Sequence, residues 1–215
     1  LALTPPVVKT IPPIIPLFPL PNVVFFPKMP MPLHVFEPRY LQMTADSLQG
    51  DRVIGMVLLK PGWEPDYAGQ PPVYPVGCAG RIEQSEELPD GRYNLVLRGT
   101  SRFRIDHEQP GRAYRRASVV ALEDTVEDAA LLDPMRRKVL AAIGQAADGP
   151  SALVLQNELP HEVFVNALAQ TLTLSPVERQ SLLDCDTVRA RYDRLLEILE
   201  FLLLEQKFGH GKVVH

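Results

Sequence analysis

Two periods divide the chain. Over residues 14–122 the apolar positions come in short runs rich in β-branched side chains, broken every few residues by proline or glycine. This pattern predicts strands. The run VIGMVLL at 53–59 is long enough for a buried strand, and 77–84 and 93–98 flank the turn signal Pro89-Asp90-Gly91 and form a hairpin. Phe103 and Ile105 alternate with arginines, and Ala117, Val119 and Ala121 alternate in a last strand, so about six strands are expected. One helix interrupts them over 37–48, where Tyr40, Leu41, Thr44 and Leu48 recur at helical spacing after Pro38. Many short strands with a single helix suggest a closed or nearly closed barrel, which leaves few edges unpaired.

After Glu123 the period becomes helical. Leu132, Met135, Val139 and Ile143 share one face of a helix ending near Gly149-Pro150, and Val163, Leu168 and Leu172 mark another. Ser175-Pro176-Val177-Glu178 combines an N-cap serine, a proline at the first helical position and a capping-box glutamate. Asp186 is placed to cap a final helix with an apolar stripe of Val188, Tyr192, Leu195, Leu199 and Leu202 opposite Asp193 and Glu197. Further along, Phe201, Leu204 and Phe208 fall on the side that Asp193 and Glu197 began, so this end is apolar on both faces. It either contacts a second chain or a partner, or packs on the chain's own β lobe. The fold class is therefore α+β: a proline-rich leader (1–13), a β-rich, barrel-like lobe with one helix (14–123), a four-helix lobe (124–208) and a flexible tail (209–215).

Composition narrows the function. A net charge of -4 gives no electrostatic reason to bind a polyanion, and the basic stretch at 112–116 reads as a solvated strand end. Prolines at 5, 6, 12, 13, 16, 19 and 21 keep the apolar N-terminus from forming a signal helix, and Glu197, Glu200 and Glu205 interrupt the leucine-rich final helix. Neither nucleic acid nor a membrane is expected as a partner. Cys78 and Cys185 are far apart without nearby metal ligands, and read first as buried thiols of a reducing compartment, the cytoplasm, with a disulfide as the alternative.

Motifs that carry chemistry are incomplete. Gly209-His210-Gly211-Lys212 lacks the hydroxyl and spacing of a phosphate loop, and His161-Glu162 opens like a zinc-protease helix but has Val165 where the second imidazole belongs. No serine sits in a G-x-S-x-G elbow or an S-x-x-K pair. The acidic pairs Glu86-Glu87 and Glu123-Asp124 read as solvated charge. No catalytic group, cofactor or metal is expected. The enzyme alternative is a small hydrolase assembled from distant residues such as His34, Ser85 and Asp90.

One resemblance is specific. Ile15-Pro16-Leu17-Phe18-Pro19-Leu20, Val23-Val24-Phe25-Phe26-Pro27 and Pro32-Leu33-His34-Val35-Phe36-Glu37-Pro38-Arg39-Tyr40 closely resemble the opening of the Lon protease N-terminal domain family. The likeness continues through Val76-Gly77-Cys78-Ala79-Gly80-Arg81-Ile82, Leu88-Pro89-Asp90-Gly91-Arg92-Tyr93-Asn94 and Arg98-Gly99 with Arg102-Phe103-Arg104-Ile105. It implies a β-rich pseudo-barrel with a helical lobe that captures unfolded or tagged polypeptides. The ATPase and Ser-Lys peptidase modules of full-length Lon are absent from these 215 residues, so neither activity is carried over.

Apolar residues in expected loops suggest where a polypeptide would bind. Met29 and Met31 alternate with prolines, Trp63 and Tyr67 lie in the segment 61–75, and Leu88 precedes the Pro-Asp-Gly turn. Methionine adapts to dissimilar partners, and loops lie at the surface. Met29, Met31 and Leu88 are expected on an exposed rim; Trp63 and Tyr67 either join it or plug a barrel end. Phe36 and Tyr40 are expected to anchor the first helix to the barrel, with Arg39 paired to a local carboxylate or carbonyl. The leading function is a non-catalytic polypeptide-binding adaptor, partnered through its final helix by a protease or a copy of itself. A structural protein with one fixed partner is the other non-enzymatic alternative.

Overall fold

A computed structural model describes residues 11–144 and 159–209, with side chains through residue 205. Most of the proline-rich leader, the expected helix end near Gly149-Pro150 and residues 210–215 lie outside the described residues. The fold is mixed α+β, as the two periods require. Six strands run β1 (Ile14–Leu20), β2 (Pro30–Val35), β3 (Val53–Leu58), β4 (Val76–Glu87), β5 (Tyr93–Gln109) and β6 (Arg116–Leu122). Helix α1 (Pro38–Gln49) lies between β2 and β3. Helices α2 (Ala129–Ile143), α3 (His161–Thr171), α4 (Pro176–Leu183) and α5 (Val188–Gly209) follow.

The sheet closes on itself. Its order is β2-β5-β4-β3-β1-β6, and β6 also pairs with β5. Five strands thus complete a ring, while β2 extends the sheet beside the first half of β5. The sequence pattern divided β5 into two short strands, but it is one strand of 17 residues: 93–98 pair with β2 and 102–109 with β6. The barrel is narrow. Ile15, Leu17, Val53, Val57, Ala79, Phe103, Ala117 and Val119 fill it, and Phe103 is wholly buried. A Cβ on Gly55 would come within 2.9 Å of the Phe103 ring and one on Gly77 within 2.7 Å, so both positions must lack a side chain.

A second, larger apolar cluster lies on the other face of these strands. Ile54, Met56 and Leu58 alternate with the barrel-facing residues of β3, which is why all six positions of that strand are buried. The cluster runs on without a break into Leu132, Val139, Phe164, Leu168, Leu182, Tyr192, Leu195 and Leu199. Ser175 caps α4 with the reciprocal Glu178 contact. Asp186 does not cap α5; the Thr187 hydroxyl takes that place by accepting from the Ala190 N–H at 3.0 Å, and Asp186 lies 3.6 Å from Arg102.

Two expected surface groups belong to the interior. Met29 is only 7% exposed because the turn before it is pinned: Lys28 adopts a left-handed conformation (φ 67), and the backbone of 28–29 exchanges hydrogen bonds with Gly99. Its side chain therefore enters the cluster between sheet and helices. Asp124 is not solvated either. Its side chain is 8% exposed and holds two buried guanidiniums, Arg102 from β5 at 2.5 Å and Arg191 from α5 at 3.0 Å. Arg191 also donates to Asn166 on α3 and to the Leu182 and Cys185 carbonyls, and Arg102 to the Leu183 carbonyl. This cluster joins the barrel to three helices.

Candidate functional site

The start of α1 and the segment 61–75 form the surface on which side chains of several chemistries converge. Pro38 sets the first turn of α1, so Arg39 and Tyr40 project from the helix start. Tyr40 is buried and packs on Phe18, their centroids 4.3 Å apart. Arg39 lies between two rings, 4.6 Å from the centroid of Tyr40 and 4.8 Å from that of Tyr67, in range of cation–π attraction. Its Nη1 donates to the Tyr67 carbonyl at 3.1 Å and its Nη2 lies 3.1 Å from Glu37 Oε2. The Tyr67 hydroxyl donates to Glu37 Oε1 at 2.6 Å, which tethers the segment to α1. Burial and the hydrogen bond to Glu37 push the Tyr67 phenol up, so it remains a donor.

Trp63 stacks edge-on against Tyr67 at 5.3 Å, and both are half-buried. They form an apolar ledge on a tethered loop. Ala68–Gln70, which follow the ledge in the same loop, line a polar cavity of about 370 Å³ together with the start of α1 and the β5–β6 turn. Arg39, Arg112 and Arg115 line it, with Glu108 the one acid among the described residues of its wall.

The other expected contact residues do not join this surface. Met31, half-buried, packs on the main apolar cluster, and Leu88 is half-buried at the hairpin tip, where its backbone pairs with Arg92. Leu88 and the 61–75 loop flank opposite ends of β4, whose 12 residues have a contour of roughly 40 Å at about 3.3 Å each. A single rim containing all five residues therefore does not form. Phe36 is 60% exposed near His34, leaving Tyr40 to anchor α1. The basic stretch at 112–116 is also more than a solvated strand end. Arg115 is 10% exposed and held by Glu108 and the Pro71 carbonyl, and Arg112 pairs with Asp46.

The family model for the substrate-binding domain of the ATP-dependent protease La (LON) matches residues 14–200. The chain belongs to the Lon substrate-binding domain family. It is 29% identical over 211 residues to Lon protease 2 of Myxococcus xanthus, covering 93% of this chain and 25% of that protein. To the Lon protease of Dictyoglomus thermophilum it is 28% identical, covering 89% of this chain and 26% of that one. The chain thus spans about a quarter of the length of these curated relatives. Among solved structures, the Lon N-terminal domain protein of Xanthomonas campestris superposes with a TM-score of 0.62 at 28% identity, over 86% of this chain and 97% of that one. The N-terminal domain of the Mycobacterium avium complex Lon protease has the same fold, with a TM-score of 0.67 at 15% identity, over 87% and 98%.

Within this Lon domain fold, the residues of the hydrolase alternative are wired differently. His34 faces Asn94 at 2.8 Å through Nδ1 and Arg92 at 3.2 Å through Nε2, while Asp90 pairs with Arg92 at 2.6 Å. Arginine and asparagine, not Ser85 and Asp90, occupy the imidazole. Among the described residues no three His, Cys, Asp or Glu are grouped to hold a metal, and no helix is long and apolar enough to cross a membrane. Cys78 and Cys185 are both free thiols, Cys78 fully buried. At the end of α5, Phe201 and Leu204 are 57% and 51% exposed, so neither packs on the β lobe; the side chain of Phe208 lies outside the described residues.

Proposed function

We propose that this chain captures unfolded or tagged polypeptides in the cytoplasm and holds them without cleaving them, as an adaptor. The observation that carries this reading is the match of the Lon substrate-binding domain model across residues 14–200. The Trp63–Tyr67 ledge supplies the contact. It presents aromatic area that can cover an apolar side chain, and the Glu37 and Arg39 tethers reduce the ordering cost of binding.

Trp63 is the single tryptophan of the chain, so its emission reports directly on this surface. Addition of reduced, carboxymethylated ribonuclease A, which contains no tryptophan, is expected to shift that emission to the blue, while native ribonuclease A does not. Trp63→Ser should weaken binding of the unfolded protein, followed by fluorescence anisotropy, by about 1–3 kcal/mol with little change in melting temperature. Full-strength binding by the variant would remove the ledge from the proposal.

The end of α5 supports a second contact surface, because Phe201 and Leu204 are exposed and Leu204 lines a groove with Ala141, Ala142, Leu196 and Leu203, edged by Lys138 and Glu200. The expected result in light scattering is a mass above 24.0 kDa for the wild type. Phe201→Lys with Leu204→Glu should return it to the monomer while retaining the fold. A wild type that remains monomeric at high concentration excludes self-association through this face.

A further inference from the structure

Tyr40 has an unusual position in the wall of the polar cavity. The residue is 3% exposed, and its hydroxyl has no hydrogen-bond partner among the described residues. A buried hydroxyl without a partner is costly, and the charges that act on it are those of Arg39, Glu37 and Arg115, two positive and one negative. Burial pushes the phenol far above its ordinary range, so the group is a neutral donor. The two arginines also keep donors in reserve. Arg39 engages Glu37 and the Tyr67 carbonyl, and Arg115 engages Glu108 and the Pro71 carbonyl at 2.7 Å, each through three of the five N–H groups a guanidinium carries. Among the described residues three arginines and one acid line the cavity; Glu37 and Asp46 are paired with Arg39 and Arg112, and Asp66 accepts from the Gln70 N–H.

Residues that carry these donors line the cavity, and its volume of about 370 Å³ lies within the roughly 300–1,000 Å³ of small-ligand sites. The matching ligand is compact, anionic and rich in acceptor oxygens. The Trp63–Tyr67 ledge stands on the same loop as the cavity wall at 68–70, so an apolar residue on the ledge would bring the end of its own chain to the cavity. We propose that this cavity binds a carboxylate of a captured polypeptide, with the Tyr40 hydroxyl and the spare N–H groups of Arg39 and Arg115 as its donors. This inference rests on the polypeptide-binding reading and adds to it a preference for chain ends or acidic residues.

The test uses the full chain and three fluorescein-labelled forms of one apolar peptide: the free acid, the C-terminal amide, and an amide with an internal glutamate. Anisotropy should show the free acid binding roughly tenfold more tightly than the plain amide, the scale of one hydrogen bond to a charged group. Tyr40→Phe, which keeps the ring on Phe18 and the Arg39 and Arg115 donors, should reduce that difference while leaving the amide unchanged and the melting temperature within a few degrees. If the glutamate amide binds like the free acid, the carboxylate comes from a side chain as readily as from a terminus, and the site stands. Equal binding of acid and amide with the unfolded protein still captured would overturn the carboxylate site and leave the polypeptide reading intact. An acid preference undiminished in Tyr40→Phe would overturn the assignment to this cavity. Failure of every peptide and of the unfolded protein to bind would overturn both readings.

Discussion

Asp124→Ala is expected to destabilise the protein by about 3–5 kcal/mol, because it leaves the Arg102 and Arg191 guanidiniums buried without their shared carboxylate. The melting temperature should fall by roughly 10 °C or more at this chain length. Leucine at all three positions should restore part of the loss, since apolar residues remove the desolvation cost together with the attraction. The cluster also predicts a pH dependence. Burial raises the Asp124 pKa, but the hydrogen bonds from Arg191 and the charges of both arginines outweigh it and hold the carboxyl below the ordinary range. A depressed carboxyl contributes stability above its unfolded pKa of about 3.9 and loses it as pH falls through the folded value. The wild type should therefore weaken below about pH 4, and Asp124→Ala should lose less over the same interval. Asp184, whose pKa burial raises, has the opposite sign and is common to both proteins. Urea denaturation from pH 3 to 7 measures these effects; a loss under about 1 kcal/mol at pH 7 would show that the cluster is not a principal link between barrel and helices.

Gly99→Ala should also be strongly damaging. Its added Cβ would lie 2.2 Å from the carbonyl oxygen of Phe26 and 3.0 Å from the Pro27 Cα, both backbone atoms that cannot rotate away. The turn at 26–29 would have to move, and with it the Gly99 N–H bond to the Met29 carbonyl at 2.9 Å and the Asn166 bond to the Pro27 carbonyl at 3.1 Å. The Lys28–Glu162 ion pair shares that turn. A loss of about 2–3 kcal/mol follows from such overpacking, or roughly 5–10 °C in melting temperature. Differential scanning calorimetry checks it, and a change of under about 2 °C would mean that the turn yields freely.

Features governed by neighbours along the chain were legible in the residues. The 3.6 period gave the buried faces of α2 and α5, the Ser175 box gave the start of α4, and Pro89-Asp90-Gly91 gave the hairpin turn, because helix faces, caps and turns are set within a few residues. The signature shared with the Lon domain located the α1 segment that supplies Arg39 and Tyr40. What depends on contacts across tens of residues was not legible. Whether Gly99 divides two strands or lets one long strand pass beneath the 26–29 turn is decided by Phe26, more than seventy positions earlier. Met29 reads as a surface residue among prolines until that turn aims it inward, and Phe36 reads as an anchor until Tyr40 takes the place against Phe18. Asp124 beside Glu123 has the local pattern of solvated charge. Only the packing of β5 against α5 brings two arginines to it, and a charge is tolerated in an interior only where the fold delivers its partners.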